Sequence, residues 1–204
     1  RRISPGPVRP PGSLDTDPVG YKEIEGIEST GNAEFYVDGG SGLLNDPGFS
    51  HALMRFDDLI GGNAIPAGAK ITSAKLTVIQ KTHSNAHSPD TFTIFRLTRP
   101  FDSFSSANVL ANPDADFGAN GILGDVDWVL SSFRPSNTSG TAAVLTADIT
   151  RAVQSWVDGS PNHGVGVASE VGFNGWSFNT SGSATQNLRP KLEVTYVTGT
   201  GLAA

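Results

Sequence analysis

The sequence predicts an all-β chain, a jelly-roll-like antiparallel β-sandwich with one short helix at about 148–157. Three observations predict it. Short runs with period-two alternation recur along the chain. Turn formers separate them, with Gly 24 and Pro 13 among 204 residues. Only one segment, Asp148 to Val157, carries a helical pattern, with Ile149, Val153 and Trp156 on one face and Asp158-Gly159 as the stop.

The strands follow in order. Ala33 to Asp38 ends at Gly39-Gly40. Ala52 to Asp57 alternates, with Ala52, Met54 and Phe56 on one face and Arg55 and Asp57 on the other. Ile65-Pro66-Ala67-Gly68-Ala69 is a turn. From Lys70 to Gln80 the pattern is clearest, with Ala74, Leu76 and Val78 inward and Lys75 and Thr77 outward. Thr91 to Thr98 is rich in β-branched and aromatic residues. Residues 102–125 show no sustained period and read as a loop. Ala143 to Ala147 reads as a strand, and strands near 163–169, 174–179 and 190–197 close the domain. Asp148 or Thr150 is suited to cap the helix.

Two units are expected: an extended Pro-rich N-terminal arm over 1–20 and a sandwich over 21–204. Arg1 to Gly12 contains Pro5, Pro7, Pro10 and Pro11, which rule out a helix and a central strand. Such an arm is ordered only against its own domain or a neighbouring subunit.

Composition excludes several classes. The net charge of −6 disfavours nucleic acid, because phosphate binding requires a basic surface. With no cysteine there is no disulfide framework, thiolate metal site or cysteine nucleophile. No apolar run is long enough to span a bilayer as a helix.

An ordered series of motifs carries a family resemblance. Ala52-Leu53-Met54-Arg55-Phe56-Asp57 and Ile65 to Leu76 resemble the "ALLRFD…IPAGATITSATL" opening of DNRLRE-type domains. Ile149 to Gly159 resembles that family's "VTxxVQxWxxG", and Asn174 to Phe178 and Arg189 to Tyr196 resemble its last two strands. The resemblance covers about residues 29–197, with the Pro-rich arm outside it. It implies a jelly-roll-like sandwich on secreted or cell-surface proteins, related to disaggregatase-type carbohydrate-binding modules, some of which bind acidic polysaccharides.

The residues themselves offer no catalytic signature. There is no Gly-x-Ser-x-Gly elbow, phosphate-cradling loop or His-Glu-x-x-His. His83 and His87 are four apart, but Asn85 and Pro89 place them in a loop. Sugar binding is the better expectation. Cations on a rigid strand face match sugar carboxylates, and flat aromatics stack on pyranose rings. The ligand candidates are Arg55, Lys75, Arg96, Trp176, Arg189 and Lys191, with Trp128 as a further aromatic. Each is weighed against an ordinary surface role, with Asp57 as the obvious partner for Arg55, while Trp156 reads as core. Acids spaced two apart make Asp114 and Asp116 candidate ligands for a structural Ca2+, against the alternative of solvated acids.

The expected function is therefore a non-catalytic, extracellular module, secreted or cell-surface, that binds a polysaccharide, acidic polymers included. The alternative is a self-assembling subunit of an extracellular filament, a homopolymer in which residues 1–20 contact a neighbouring copy.

Overall fold

A computed structural model of the chain describes residues 13–16, 22–25, 34–39, 49–61, 64–101, 126–169 and 174–198. Their strands are β1 (Ser13–Thr16), β2 (Lys22–Glu25), β3 (Glu34–Gly39), β4 (Phe49–Met54), β5 (Lys70–Ile79), β6 (Phe92–Leu97), β7 (Val126–Phe133), β8 (Val144–Asp148), β9 (Val165–Ala168), β10 (Trp176–Asn179) and β11 (Lys191–Val197). One α-helix, α1 (Thr150–Val157), stands among the described residues. The strands form two antiparallel sheets. One has four strands in the order β1-β11-β5-β8. The other has seven, in the order β10-β3-β4-β9-β6-β7 with β2 also paired to β4. The fold is the all-β sandwich that the alternation predicts.

Alternation explains which side chains fill the space between the sheets. Ala74, Leu76 and Val78 of β5 are buried there with Leu192 and Val194 of β11, while Lys75 is exposed on the outer face. From the seven-stranded sheet come Val37, Met54, Phe92, Val167 and Phe178. Trp176 is central, its ring centroid 4.9 Å from Phe178, 5.5 Å from Phe92 and 5.8 Å from Phe133. These tilted and edge-on contacts suit aromatic quadrupoles and add to the burial energy.

β4 departs from simple alternation. His51, Ala52, Leu53 and Met54 are all buried. Leu53 points away from the main core into a second cluster with Phe95, Leu97, Phe101 and Ala168. Both faces of this strand are therefore covered, which is why an apolar Leu53 stands at an outward position. Its strand also ends earlier than the motif suggested, at Met54, because Asp57-Asp58 turns and Asp58 takes a φ of 56°.

The helix starts at Thr150 rather than 148, because Asp148 still belongs to β8 and pairs with Lys75 of β5. The Asp148 carboxylate accepts the Thr150 N–H at 2.8 Å, so the aspartate serves the helix start. Thr150 has another use. Its hydroxyl accepts the Ala74 N–H at 2.8 Å, and the Gln154 amide oxygen accepts the Ile71 N–H at 2.7 Å. Gln154 Nε2 also donates to the Ala69 carbonyl at 3.2 Å. The side chains at i and i+4 of α1 thus continue, along β5, the pairing that β8 begins. Ala152, Val153 and Trp156 drive the same helix into the core.

Gly164 lies at a close approach of chains. Its φ is +89°, and a Cβ there would stand 2.2 Å from the Met54 carbonyl oxygen, so no other residue fits. The sheets are also stitched at one corner. The Lys81 N–H donates to the Ser177 carbonyl at 2.9 Å, and Asn179 Nδ2 donates to the Ile79 carbonyl at 2.9 Å. Buried Gln80 bonds the Ala86 carbonyl and both the N–H and C=O of Ser136.

Two sequence expectations differ from the structure. The periodicity assigns no strand between 126 and 142, where the structure has β7, an edge strand held by β6. Within the expected arm, Ser13–Thr16 is a strand of the domain's own four-stranded sheet, paired to β11.

Gln154→Ala leaves the Ile71 N–H without its partner, so urea unfolding should show a loss of about 1–3 kcal/mol. Burial lowers the His51 pKa to about 3, so this imidazole is neutral in the fold. Its contribution is complete above the unfolded value of about 6.5 and is lost as pH falls from there toward the folded value. Unfolding free energy should therefore drop between about pH 7 and about pH 5 by roughly 2 kcal/mol more in the parent than in His51→Gln. Equal drops in the two proteins would refute the assignment.

Candidate functional site

The outer face of the four-stranded sheet presents an ordered grid, because β8, β5 and β11 run side by side with fixed register. Lys191 of β11 stands opposite Thr77 of β5, which stands opposite Thr146 of β8. The Thr77 and Thr146 hydroxyls are 3.2 Å apart, a hydrogen bond across the strands. One step along, Glu193, Lys75 and Asp148 form a second row, and at the other end Ile79 faces Val144. Strand pairing holds these positions, so their side chains share a rigid base.

At the Ile79 end the face hollows into an open groove of about 490 Å³. Thr77, Ile79 and Val144 form its sheet side. Gln186, Asn187, Arg189 and Lys191 complete it, the two amides from the short helical turn before β11. Arg189 is aimed by a bond from its Nε to the Ser183 carbonyl at 2.8 Å. Its two terminal nitrogens have no bonding partner among the described residues. Lys191 Nζ is 3.1 Å from Glu193 Oε2, with both side chains substantially exposed, so that pair is weak and open to exchange. The groove thus combines a fixed guanidinium, an ammonium, two carboxamides and a hydroxyl around a small aliphatic floor of Ile79 and Val144. That set can bind a carboxylate and several hydroxyl groups at once.

Of the sequence candidates, the structure brings Arg189 and Lys191 together in this groove and sets Lys75 beside it on the same face. It places the others elsewhere. Trp176 requires a correction. Its side chain is 0% exposed and packed among phenylalanines, so no external sugar reaches its ring. Its flat aromatic ring made it a stacking candidate; its inward position on β10 decided otherwise.

Arg55 and Arg96 form a separate cluster near α1. Arg55 Nε donates to Asp57 Oδ1 at 2.6 Å, and its Nη1 donates to the Phe101 carbonyl at 3.0 Å. Arg96 donates from Nε and Nη2 to the two oxygens of Asp127 and from Nη1 to Ser155 Oγ. The hydrogen bond and charge of Arg96 hold the Asp127 carboxyl below its ordinary range. These two arginines secure the residues on either side of segment 102–125, and their forked donors are already engaged. The Trp128 ring is covered as well: the guanidinium carbon of Arg96 lies 4.0 Å, and that of Arg151 3.8 Å, from its centroid. Half-buried His163 lies in the same positive field, its pKa lowered first by desolvation and then by Arg55 and Arg96.

One trio mimics a hydrolytic triad. His83 Nε2 is 2.5 Å from Glu34 Oε1 and 3.2 Å from Ser177 Oγ. Both partners share one ring nitrogen, whereas proton relay from serine needs the acid on the other nitrogen. Ser177 is also completely buried. His87 is tied to Gln80 Nε2 at 3.0 Å. The Ca2+ candidates Asp114 and Asp116 lie outside the described residues. Among the described residues, no three His, Asp or Glu side chains gather closely enough to hold a metal ion, and no helix is long and apolar enough to cross a membrane.

Sequence reasoning missed Gln186, Asn187, Ile79 and Val144. Ile79 and Val144 carried a signal, as apolar residues at outward positions of their strands; Val144 is 65% exposed. No family model matches the chain, and no curated protein matches it.

Proposed function

We propose that this chain is a non-catalytic, extracellular polysaccharide-binding module that holds its glycan on the outer face of the four-stranded sheet. The observation that carries the reading is the groove itself, where Arg189, Gln186 and Asn187, from the turn before β11, stand with Lys191 beside the outer face of the sheet. Donors that are fixed before the ligand arrives lose little entropy on binding. Forked amides match vicinal hydroxyls, and the guanidinium matches a carboxylate. The motif resemblance to DNRLRE-type domains, with their secreted, carbohydrate-associated setting, favours the same reading.

Arg189→Ala and Lys191→Ala should each weaken retardation in affinity gels containing polygalacturonate, by about tenfold for Arg189, a loss of about 1.4 kcal/mol. Arg55→Ala should leave retardation unchanged and lower thermal stability instead. Unchanged binding in the groove variants would sink the reading.

A second reading is assembly, and β1 favours it. This strand comes from the Pro-rich arm and pairs antiparallel with β11, with the register Ser13↔Thr195 to Thr16↔Leu192. The same edge of β11 accepts a strand from another copy equally well, and head-to-tail donation builds a filament. Light scattering should show polymers for the full chain and none after deletion of residues 1–20. A full chain that stays monomeric at high concentration removes this reading.

A further inference from the structure

The two cations of the groove do not stand on equal terms. Arg189 bonds the Ser183 carbonyl through Nε, and its terminal nitrogens bond no carboxylate among the described residues. Lys191 is already engaged, with its Nζ 3.1 Å from Glu193 Oε2. Lys191 lines the groove and Glu193 does not. Glu193 stands two residues further along β11, exposed on the same outer face.

A second ammonium lies beside Glu193. Lys75 of β5 is its direct register partner across the strands. Lys75 is exposed, and its ammonium makes no ion pair among the described residues. Asp148, opposite Lys75 on the other side, accepts the Thr150 N–H instead. Directly opposed residues of an antiparallel pair sit about 5 Å apart, and residues i and i+2 of one strand about 7 Å apart. Glu193 therefore reaches Lys75 as readily as Lys191, by side-chain rotation alone. Exposed side chains rotate on the picosecond to nanosecond scale, so the exchange needs no backbone movement.

Resting on the reading of this groove as a site for an acidic glycan, we infer that Glu193 is an internal competitor for the ligand's carboxylate. In the free protein its carboxylate occupies Lys191. A ligand carboxylate anchored at Arg189 takes Lys191 over, and Glu193 transfers to Lys75. Each ammonium then has one carboxylate partner. A hydroxyl is a weaker acceptor than a carboxylate, so a neutral glycan leaves Lys191 with Glu193. Glu193 thus opens the second cation of the groove to anions only, and this makes it a specificity-determining residue that never touches the ligand.

Calorimetry with hexagalacturonate on the full chain tests the exchange. Glu193→Gln should bind about threefold more tightly than the parent, since the competitor is gone. Lys75→Met should bind about threefold more weakly, since the displaced carboxylate loses its second partner. In the Glu193→Gln background the same Lys75→Met should leave binding unchanged, a coupling read directly from the double-mutant cycle. Equal losses from Lys75→Met in both backgrounds would show Lys75 acting by its charge alone and would overturn the exchange while the glycan site stands. A Glu193→Gln variant that binds no more tightly than the parent does the same. Binding that survives Arg189→Gln, or no binding by either the parent or Glu193→Gln, overturns the site and the exchange together.

Discussion

The structure depends on how β5 is completed. This ten-residue strand is the centre of the four-stranded sheet, yet β8 pairs with only its second half, from Lys75 to Ile79. A central strand with unpaired N–H groups against a buried helix would cost several hydrogen bonds. The helix supplies them from side chains. Thr150 and Gln154 take the Ala74 and Ile71 N–H groups, and the Ile149 N–H donates to the Ala74 carbonyl at 2.9 Å. One short element therefore ends a sheet edge and plugs the sandwich, with Val153 and Trp156 on its core side.

The groove follows from that arrangement. Since α1 completes β5 at its first half, the second half and β8 keep an uncovered outer face with fixed register. The helical turn at Gln186–Leu188 then brings two amides beside the start of β11, and the bond to the Ser183 carbonyl aims Arg189. In the cluster near α1, arginines are engaged within the chain. Arg55 and Arg96 spend their donors on Asp57, Asp127 and backbone oxygens, which holds the chain on both sides of 102–125. Arg189, by contrast, bonds a backbone carbonyl through Nε and no carboxylate among the described residues.

Much of the architecture was legible residue by residue. The inward set Ala74, Leu76 and Val78 and the helix face Ile149, Val153 and Trp156 are read from spacing, because burial imposes period two on strands and 3.6 on helices. The possibility that Asp57 claims Arg55 was also visible, as a neighbour two residues away. Edge strand β7 and the double burial of β4 were not. An edge strand has no obligatory polar-apolar rhythm, and Leu53 is buried only because Phe101 and Phe95 cover the second face of its sheet.

The site was legible in part. Arg189 and Lys191 were candidates as cations of the last strand motif, but nothing local joined them to Thr77, more than a hundred residues earlier. The sequence by itself determined the sandwich, the short helix before residue 158 and the sidedness of most strands, since those depend on short-range periodicity and turn chemistry. Tertiary structure alone decided which arginines are engaged by carboxylates, that Trp176 lies within the core, and which residues meet across three strands. Those depend on register between distant segments, and pairing energy is earned between strands rather than within them.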